Sequence, residues 1–257
     1  MAETAILADN LTKEFALERD RARHLKAFAV RLFRGHRGRV ERFRALDGVS
    51  FDVPVGRALG IVGENGSGKS TLLSVLSRIL RPTGGRFEVR GRVCTLLELG
   101  AGFHPDLTGV ENVYLNGVIL GLTRREVAER LDSILAFAEL EDFADAEVRT
   151  YSSGMVTRLG FSIAVHADPD VLLLDEGLSA GDERFNRKCY TKMGELRASG
   201  HRTLVLVSHD LTTVRETCDM VLWLHRGKVA AFGDTETVLG RYKAFVESQR
   251  TSAATGG

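Results

Sequence analysis

The segment Gly63–Ser70 has the residue types that bind the phosphates of a nucleotide. Its sequence, Gly-Glu-Asn-Gly-Ser-Gly-Lys-Ser, fits the pattern G-x-x-x-x-G-K-[ST]. In such a loop the glycines let backbone N–H groups surround the phosphates, the lysine reaches the terminal ones, and the serine hydroxyl binds magnesium. Lys69 is therefore predicted to act on the phosphates of ATP, and Ser70 to bind Mg²⁺. Chance produces this pattern in about 1% of chains of this length, so a plain surface turn is a poor alternative.

The residues on either side of the loop provide the setting that it requires. The apolar run Leu59–Val62 precedes it, and Ser70–Leu76 follows with apolar residues at helical spacing. A strand, loop and helix in this order direct the positive end of the helix dipole at the phosphates.

Two carboxylates follow a second apolar run. Asp175 comes directly after Val171–Leu174, where it could hold magnesium through the metal's water shell, and Glu176 could polarise an attacking water. The alternative is an Asp-Glu pair that only begins a loop and caps the next helix. The upstream phosphate loop favours the catalytic interpretation.

His209 follows a third apolar run, Thr203–Val207. Ligands of α/β proteins bind at the carboxyl ends of such strands, so His209 is predicted to contact the γ-phosphate, although a lone histidine there is more often a turn residue. The other histidines show no pairing pattern and are interpreted as structural: His24, His36, His104, His166, His201 and His225.

The elements that must position these residues indicate an α/β fold with a doubly wound, mostly parallel sheet. The runs Val171–Leu174 and Thr203–Val207 are continuously apolar, which is typical of central parallel strands covered on both faces. A short strand at Ile6 and a half-buried strand over Leu46–Val55 predict a small antiparallel β edge. Two further short strands are expected around Gly91.

Helical patterns fill much of the remaining chain. Residues 107–166 are expected to form a helical subdomain, with Thr108 and Thr123 as helix caps. A hairpin is predicted about Arg226-Gly227, and a last helix from about Thr235 to Gln249. The whole is predicted as one domain over residues 1–250, with a flexible tail at 251–257.

Composition excludes several classes. The chain has 257 residues, is 44% hydrophobic and carries a formal net charge of +1, so it can bury a core and has no global basic field for nucleic acid. Its three cysteines are scattered, which favours buried thiols over a metal site or disulfides. The sequence lacks both a run of the roughly 20 apolar residues that a spanning helix needs and a signal peptide, so any work at a membrane needs a partner chain.

Residues 19–44 form a basic insertion with many arginines and few acids. Its apolar residues recur at roughly helical intervals. A solvated helix packed on its own domain and a surface that meets a membrane protein or anionic headgroups are equally weighted interpretations. Nucleic acid is a weaker third.

The segment Tyr151–Met155 is a second anion-binding element that opens a helix and that the same phosphate site does not need. At this point the sequence resembles the ATP-binding cassette family, in which the motif Leu-Ser-Gly-Gly-Gln of one subunit covers the nucleotide held by the other. Ser152 and Gly154 match its contact positions, and Ser153 lies between them. The resemblance spans nearly the whole chain and includes a D-loop-like segment that ends at Asp182.

That resemblance implies an ATPase core and a homodimer that holds two ATP molecules with Mg²⁺ between its subunits. The nucleotide-contacting residues that it implies are Gly63, Glu64, Asn65, Gly66, Ser67, Gly68, Lys69, Ser70, Thr71, Ser152, Ser153, Gly154 and Asp182, with an adenine-stacking aromatic. Phe15 fits the position of that aromatic by motif, and Phe43 is a competitor. The usual Q-loop glutamine is absent, and Glu98 or Leu99 occupies its neighbourhood.

Within the family the chain is similar to the ATPase subunits of bacterial exporters of O-antigen, teichoic acid or galactan. The likeness rests on Tyr151–Met155, on Leu97–Gly117 and on the basic insertion. It implies a separate transmembrane permease in two copies, a polyprenyl-linked glycan as indirect cargo and a place on the cytoplasmic face of the plasma membrane. An importer ATPase and a soluble cassette ATPase acting on DNA or ribosomes are the alternatives.

Overall fold

The computed structural model describes residues 3–18, 40–95, 102–175, 183–198 and 200–255, which form two sheets and the helices around them. The strands are β1 (Thr4–Glu18), β2 (Val40–Pro54), β3 (Ala58–Val62), β4 (Gly84–Val89), β5 (Val93–Thr95), β6 (Val171–Leu174), β7 (Thr203–Val207), β8 (Met220–His225) and β9 (Lys228–Asp234). The helices are α1 (Lys69–Leu76), α2 (Gly109–Ile119), α3 (Arg124–Ala138), α4 (Ser153–His166), α5 (Glu183–Ala198), α6 (Leu211–Thr217) and α7 (Thr235–Thr255), with short 3-10 turns at Glu141–Phe143 and Val148–Thr150.

The larger sheet confirms the predicted mostly parallel core. Its six strands have the order β5-β6-β7-β3-β8-β9, and every neighbouring pair is parallel except β8 and β9. Strands β3, β6 and β7 are buried along their whole length. Alternate side chains of β7 enter two different cores, since Leu204 and Leu206 pack with the helical subdomain, whereas Val205 and Val207 pack with α1 and the smaller sheet.

The smaller sheet is antiparallel, as predicted, with the order β2-β1-β4, but its strands are much longer than expected. β1 has 15 residues, although the sequence indicated only a short strand at Ile6. Four register shifts in the β1–β2 ladder break the alternation that would reveal the strand. The C-terminal part of β1 carries Glu14, which forms ion pairs with Arg42 and Arg44 of β2. No apolar pattern indicates a strand in that part of the sequence.

Part of the basic insertion belongs to this ladder. Residues 40–44, the end of the insertion predicted over 19–44, lie in β2 and are therefore not helical. Residues 19–39 lie outside the described residues.

The helical segment follows the sequence closely. Thr108 and Thr123 each form a capping box, with Glu111 and Glu126, which confirms both predicted caps. The Thr123 amide and then the Thr123 hydroxyl, which both donate to the Glu126 carboxylate at 2.7 Å, lower the pKa of Glu126.

The C-terminal helix is longer than predicted. α7 runs to Thr255, six residues beyond Gln249, so most of the predicted flexible tail is helical. Neither glycine nor proline occurs between Arg241 and Thr255, and nothing in that stretch stops the helix.

Two further expectations concern the hairpin and the cysteines. The β8–β9 turn centres on Arg226 and Gly227, which have φ angles of 49° and 78°, as a two-residue hairpin turn requires.

Cys94, Cys189 and Cys218 are all buried, and burial raises the pKa of each thiol to about 12. Among the helices of the described ranges, none combines the length and apolarity needed to cross a bilayer.

His166 provides a test of the helical core. It lies beside Phe137, with ring centroids 5.6 Å apart, and its Nδ1 lies 2.7 Å from the carbonyl oxygen of Ser162. Burial lowers the pKa of His166 below its usual 6.5. The unfolded chain therefore takes up a proton at a higher pH than the folded chain, so stability is full above pH 6.5 and falls as the pH drops below it. We expect urea unfolding to show this loss, and His166→Phe to reduce its pH dependence.

The exposed His201 offers a matched control. We expect His201→Gln to keep the wild-type pH profile. A His166→Phe protein whose stability still falls as steeply between pH 7 and 5 would contradict a buried neutral imidazole.

Candidate nucleotide-binding site

Three predicted site segments meet at the carboxyl edge of the parallel sheet. The loop at Gly63 follows β3, Asp175 follows β6, and Ser208-His209 follows β7, which lies between those two strands. Because the three strands are parallel, their carboxyl ends lie on one edge, which is where ligands of α/β proteins bind. The structure thus brings together the residues predicted to bind phosphate and metal.

Neighbouring backbone fixes the shape of the phosphate loop. A Cβ atom on Gly63 would lie 2.2 Å from the carbonyl oxygen of Leu224, and one on Gly68 would lie 2.6 Å from that of Ala45. Both residues also have φ angles in the range that favours glycine, 152° and 108°. The Gly227 amide donates to the carbonyl oxygen of Ser67 at 3.0 Å. The loop therefore lies between β2 on one side and the β8–β9 hairpin on the other.

Inside the loop the polar groups are arranged to receive an anion. The Lys69 ammonium donates to the carbonyl oxygens of Gly63 and Glu64 at 2.8 and 3.1 Å, and Lys69 is only 7% exposed. Ser67 Oγ is buried and has no hydrogen-bond partner within the part of the chain that the structure describes. A buried cation beside an unsatisfied hydroxyl fits a phosphate group.

The first turn of α1 adds backbone donors. Gly68 is the N-cap and brings no side-chain acceptor, and the Leu72 amide is the first to bond within the helix, to Gly68. The amides of Ser70 and Thr71 precede that bond, so helix geometry gives them no acceptor of their own. These N–H groups point toward the N-terminal end of α1, which is also the positive end of the helix dipole. An anion is therefore favoured there.

Oxygen ligands suitable for magnesium lie at the same edge. Ser70 is exposed in the first turn of α1, and Asp175 is half-buried at the end of β6. A hydroxyl and a carboxylate are the ligand types that Mg²⁺ takes while keeping several waters. Glu176, predicted as the catalytic carboxylate, lies outside the described residues, as do Asp182, Glu98 and Leu99.

The backbone next to His209 is held by its neighbour. Asp210 is the N-cap of α6 and accepts hydrogen bonds from the Thr212 amide at 2.9 Å and the Thr213 hydroxyl at 2.6 Å. Both bonds lower the pKa of Asp210, and the bond from the Thr213 hydroxyl has the larger effect. The His209 side chain is exposed at the sheet edge.

The segment Tyr151–Met155 lies on a different element, at the start of α4. Ser152 is the N-cap, its Oγ accepting from the Met155 amide at 3.2 Å, and the exposed Ser152 and Ser153 are followed by Gly154 in the first turn. Tyr151 anchors the segment by donating its hydroxyl to the carbonyl oxygen of Phe143 at 2.7 Å. Burial raises the pKa of Tyr151. The segment is thus a rigid, exposed helix start.

The two aromatic candidates turn out to be cross-strand partners. Phe15 and Phe43 are paired in the β1–β2 ladder, so both project from the same face. Phe43 is 50% exposed, and Lys13 lies over the Phe15 ring at 5.1 Å. Ala45, two residues from Phe43 in β2, has its carbonyl oxygen against Gly68, so the strand that carries Phe43 passes the phosphate loop.

One contact of the loop was missed in the sequence. His225, interpreted as structural, has its Nδ1 3.4 Å from a carboxylate oxygen of Glu64. The residues are far apart in the chain, and neither has a motif that points to the other. Only the fold, which sets the end of β8 beside the loop, reveals the pair.

The glycines of the loop provide a prediction. An alanine Cβ at position 63 would collide with fixed backbone, so we expect Gly63→Ala to lower the free energy of unfolding by roughly 2–4 kcal/mol. Gly66 has a φ angle of 77° but nothing within 4 Å of a Cβ, so Gly66→Ala should cost only about 1–2 kcal/mol. Chemical denaturation measures both.

Gly194, exposed in helix α5 with open space around it, is the control. We expect Gly194→Ala to gain up to about 1 kcal/mol. Equal losses for Gly63→Ala and Gly66→Ala would show that the contact with Leu224 does not set the loop.

Comparison with known proteins agrees with this geometry. Residues 46–179 match the family described as ABC transporter. The chain is 43% identical to the O-antigen export system ATP-binding protein RfbB of Myxococcus xanthus, 43% to the teichoic acids export ATP-binding protein TagH of Levilactobacillus brevis, and 40% to the RfbB protein of Klebsiella pneumoniae. These alignments cover 97%, 94% and 94% of this chain, but 58%, 65% and 98% of the relatives. The chain thus spans about three fifths of the first two relatives and nearly all of the third.

Solved structures show the same fold. A dimeric ATP-binding cassette in a post-hydrolysis state, bound to ADP and Pi, superposes with a TM-score of 0.72 at 23% identity, covering 90% of this chain and 98% of that one. The ATP-binding subunit of another ABC transporter gives a TM-score of 0.74 at 21% identity, covering 93% and 94%. With its phosphate loop, Asp175 and His209 at one sheet edge, and a family match over more than half its length, this chain belongs to the ABC transporter family.

Proposed function

We propose that this chain is the ATPase subunit of an exporter that drives a lipid-linked polysaccharide through a separate permease. The observation that carries the proposal is the 40% identity to the Klebsiella O-antigen export protein, over 94% of this chain and 98% of that one. A teichoic acid export protein is equally similar to the chain as an O-antigen export protein, at 43% each. The names of these relatives favour export of a polymer over import of a solute or action on DNA.

Hydrolysis requires two copies of the chain. The phosphate loop lies at the sheet edge, whereas the exposed Ser152 and Ser153 and the half-buried Gly154 lie at the start of α4 in the helical subdomain. We propose that α4 of one copy covers the ATP held by the phosphate loop of the other, so that a homodimer binds two ATP molecules. The dimeric cassette among the structures of the same fold supports this arrangement.

Phosphoryl transfer to water depends on positioning and on charge neutralisation. Lys69 and the loop amides would bind the phosphates, and Ser70 and Asp175 would hold magnesium. When bound, that ion would offset the charge of the β- and γ-phosphate oxygens. Glu176 would orient and polarise the attacking water, His209 would contact the γ-phosphate, and Asp182 would contact the partner copy.

The base of ATP would stack on the aromatic pair beside the loop. Phe15 and Phe43 share one face, and the half-exposed Phe43 offers the more open ring. We retain Phe15 as the residue that fits the family motif and place Phe43 beside it as a second wall of the same adenine site.

Closing and reopening of the dimer would then drive the permease, which we propose is present in two copies. The chain would lie on the cytoplasmic face of the plasma membrane through its contact with that permease. The polyprenyl-linked glycan would touch the permease, and this subunit only indirectly. A formal net charge of +1 gives no reason to expect nucleic acid as a partner.

The N-cap role of Ser152 permits a sharp test of the shared site. Aspartate caps a helix as well as serine, so Ser152→Asp should keep α4 intact while adding a negative charge where the partner's γ-phosphate would lie. In a Glu176→Gln background we expect ATP-dependent dimerisation, measured by analytical ultracentrifugation, to weaken at least about tenfold, since ~1.4 kcal/mol of repulsion suffices.

Ser152→Asn is the matched control, because asparagine caps equally well without a charge. It should retain most of the dimerisation, and both variants should unfold at the wild-type temperature. Equal dimerisation of the Asp and Asn variants, or a Glu176→Gln protein that stays monomeric in ATP, would contradict the shared site.

The export function is tested in the cell. We expect a repressible chromosomal Lys69→Ala form to arrest hydrolysis, so that a polyprenyl-linked glycan accumulates on the cytoplasmic side of the membrane, measurable by lipid extraction and mass spectrometry. Lys243→Gln, on an exposed part of α7, is the control and should cause no accumulation. Loss of solute uptake or of DNA repair without a lipid-linked polymer would move the chain to another branch of the family.

A further inference from the structure

An aromatic cluster joins the C-terminal helix to the end of strand β8. The Trp223 ring lies 5.5 Å from Tyr242 and 5.1 Å from Phe245, and the His225 ring lies 5.0 Å from Phe245 at a steep angle. Tyr242 and Phe245 belong to α7, whereas Trp223 and His225 belong to β8. The packing of α7 therefore fixes the position of the His225 imidazole.

The imidazole in turn meets the phosphate loop. His225 Nδ1 lies 3.4 Å from an Oε2 of Glu64, the second residue of the loop. Nδ1 is buried, and no hydrogen bond to it is formed within the described ranges. A shift of the Glu64 carboxylate by a few tenths of an ångström would turn this contact into a hydrogen bond, so the pair favours a particular position of Glu64. Burial and the charge of Glu64 also raise the pKa of Tyr242, in keeping with a carboxylate close to α7.

Glu64 also contacts the phosphate-binding lysine. Its carbonyl oxygen accepts from Lys69 Nζ at 3.1 Å, beside the carbonyl oxygen of Gly63 at 2.8 Å. A displacement of Glu64 changes the acceptors that hold the ammonium group. The side chain of Glu64 thus faces the cluster, while its main chain faces Lys69.

We propose that His225 is a positioning residue of the nucleotide site, which links the packing of α7 to the place of Glu64 and thereby to Lys69. The link is short. The Phe245 and His225 ring centroids lie 5.0 Å apart, His225 Nδ1 lies 3.4 Å from the Glu64 carboxylate, and the Glu64 carbonyl oxygen accepts from Lys69 at 3.1 Å. The inference rests on the proposed binding of ATP to this loop. Nucleotide bound at Lys69 would disturb Glu64 and be felt at the aromatic cluster, and a change at α7 would alter the affinity for ATP.

The chain contains its own reporter for this link. Trp223 is the single tryptophan of the sequence, is nearly buried, and belongs to the cluster. ATP added without magnesium should therefore change the tryptophan emission of the native protein, without any turnover. Binding itself is measured separately, by equilibrium dialysis of labelled ATP.

His225→Phe keeps a ring against Phe245 and removes the nitrogen that faces Glu64. We expect this variant to bind ATP about three- to tenfold more weakly, because it removes the polar contact that positions Glu64, and to lose most of the tryptophan response at saturating ATP. Turnover at saturating ATP should change less than twofold, because His225 is not expected to touch the reacting atoms. Lys243→Gln, on α7 but exposed, should match the native protein in both readouts.

A double-mutant cycle separates positioning from general support of the fold. If His225 acts through Glu64, His225→Phe should lower affinity clearly in the native chain and less than twofold in a chain that carries Glu64→Gln. Equal losses in the two backgrounds, or an unchanged tryptophan response in His225→Phe, would overturn the proposal. Should His225→Phe fail to fold, Phe245→Leu removes the ring contact from the side of α7. It should likewise lower ATP affinity less in the Glu64→Gln background than in the native chain, and reduce the tryptophan response.

The outcomes also distinguish this inference from the proposed function. A native chain that does not bind ATP overturns both. A native chain that binds ATP, with His225→Phe equal to it in affinity and emission, overturns the positioning role and leaves the ATPase assignment intact.

Discussion

The nucleotide site depends on the close approach of three pieces of backbone at the end of β3. Gly63 lies against the carbonyl oxygen of Leu224, and Gly68 lies against that of Ala45, with no room for a side chain at either contact. The loop is held between the antiparallel sheet and the β8–β9 hairpin, so its backbone dipoles are fixed by contacts with the rest of the fold. Preorganised dipoles of this kind cost no reorganisation when a phosphate binds. The glycines are thus required by packing as much as by phosphate contact.

The parallel sheet explains why the remaining site residues, separated by more than 100 positions from the loop, lie beside it. Each strand delivers its following loop to the same edge, and β7, between β3 and β6, places Ser208-His209 between the phosphate loop and Asp175. The start of α4 lies on a different element, among the helices of the helical subdomain, and its Ser152 and Ser153 are exposed. In the proposed function a single chain would therefore carry two halves of a site that only a second copy can complete.

Sequence reasoning succeeded where one local pattern decides the structure. The buried strands Val171–Leu174 and Thr203–Val207 match the predicted runs because continuous apolar residues suit strands covered on both faces. The caps at Thr108 and Thr123 and the Arg226-Gly227 turn rest on bonds within four residues. The prediction failed for β1, whose register shifts destroy alternation, and for the end of α7. The contact of His225 with Glu64 has no local signal, since it depends on how β8 packs beside the loop.

The comparisons bear on where cargo recognition lies. The chain is 43% identical to a protein named for O-antigen export and 43% identical to one named for teichoic acid export, two polymers of different chemistry. In the proposed function the phosphate loop, Asp175 and the start of α4 would contact nucleotide and a second copy, and their described geometry contains no feature specific to a sugar. An ATPase subunit that works in the proposed way would deliver the same closing motion whatever the polymer is. Under the proposed function, discrimination between polymers would come from surfaces other than the nucleotide site. Substitutions at that site should then change the rate of export without changing what is exported.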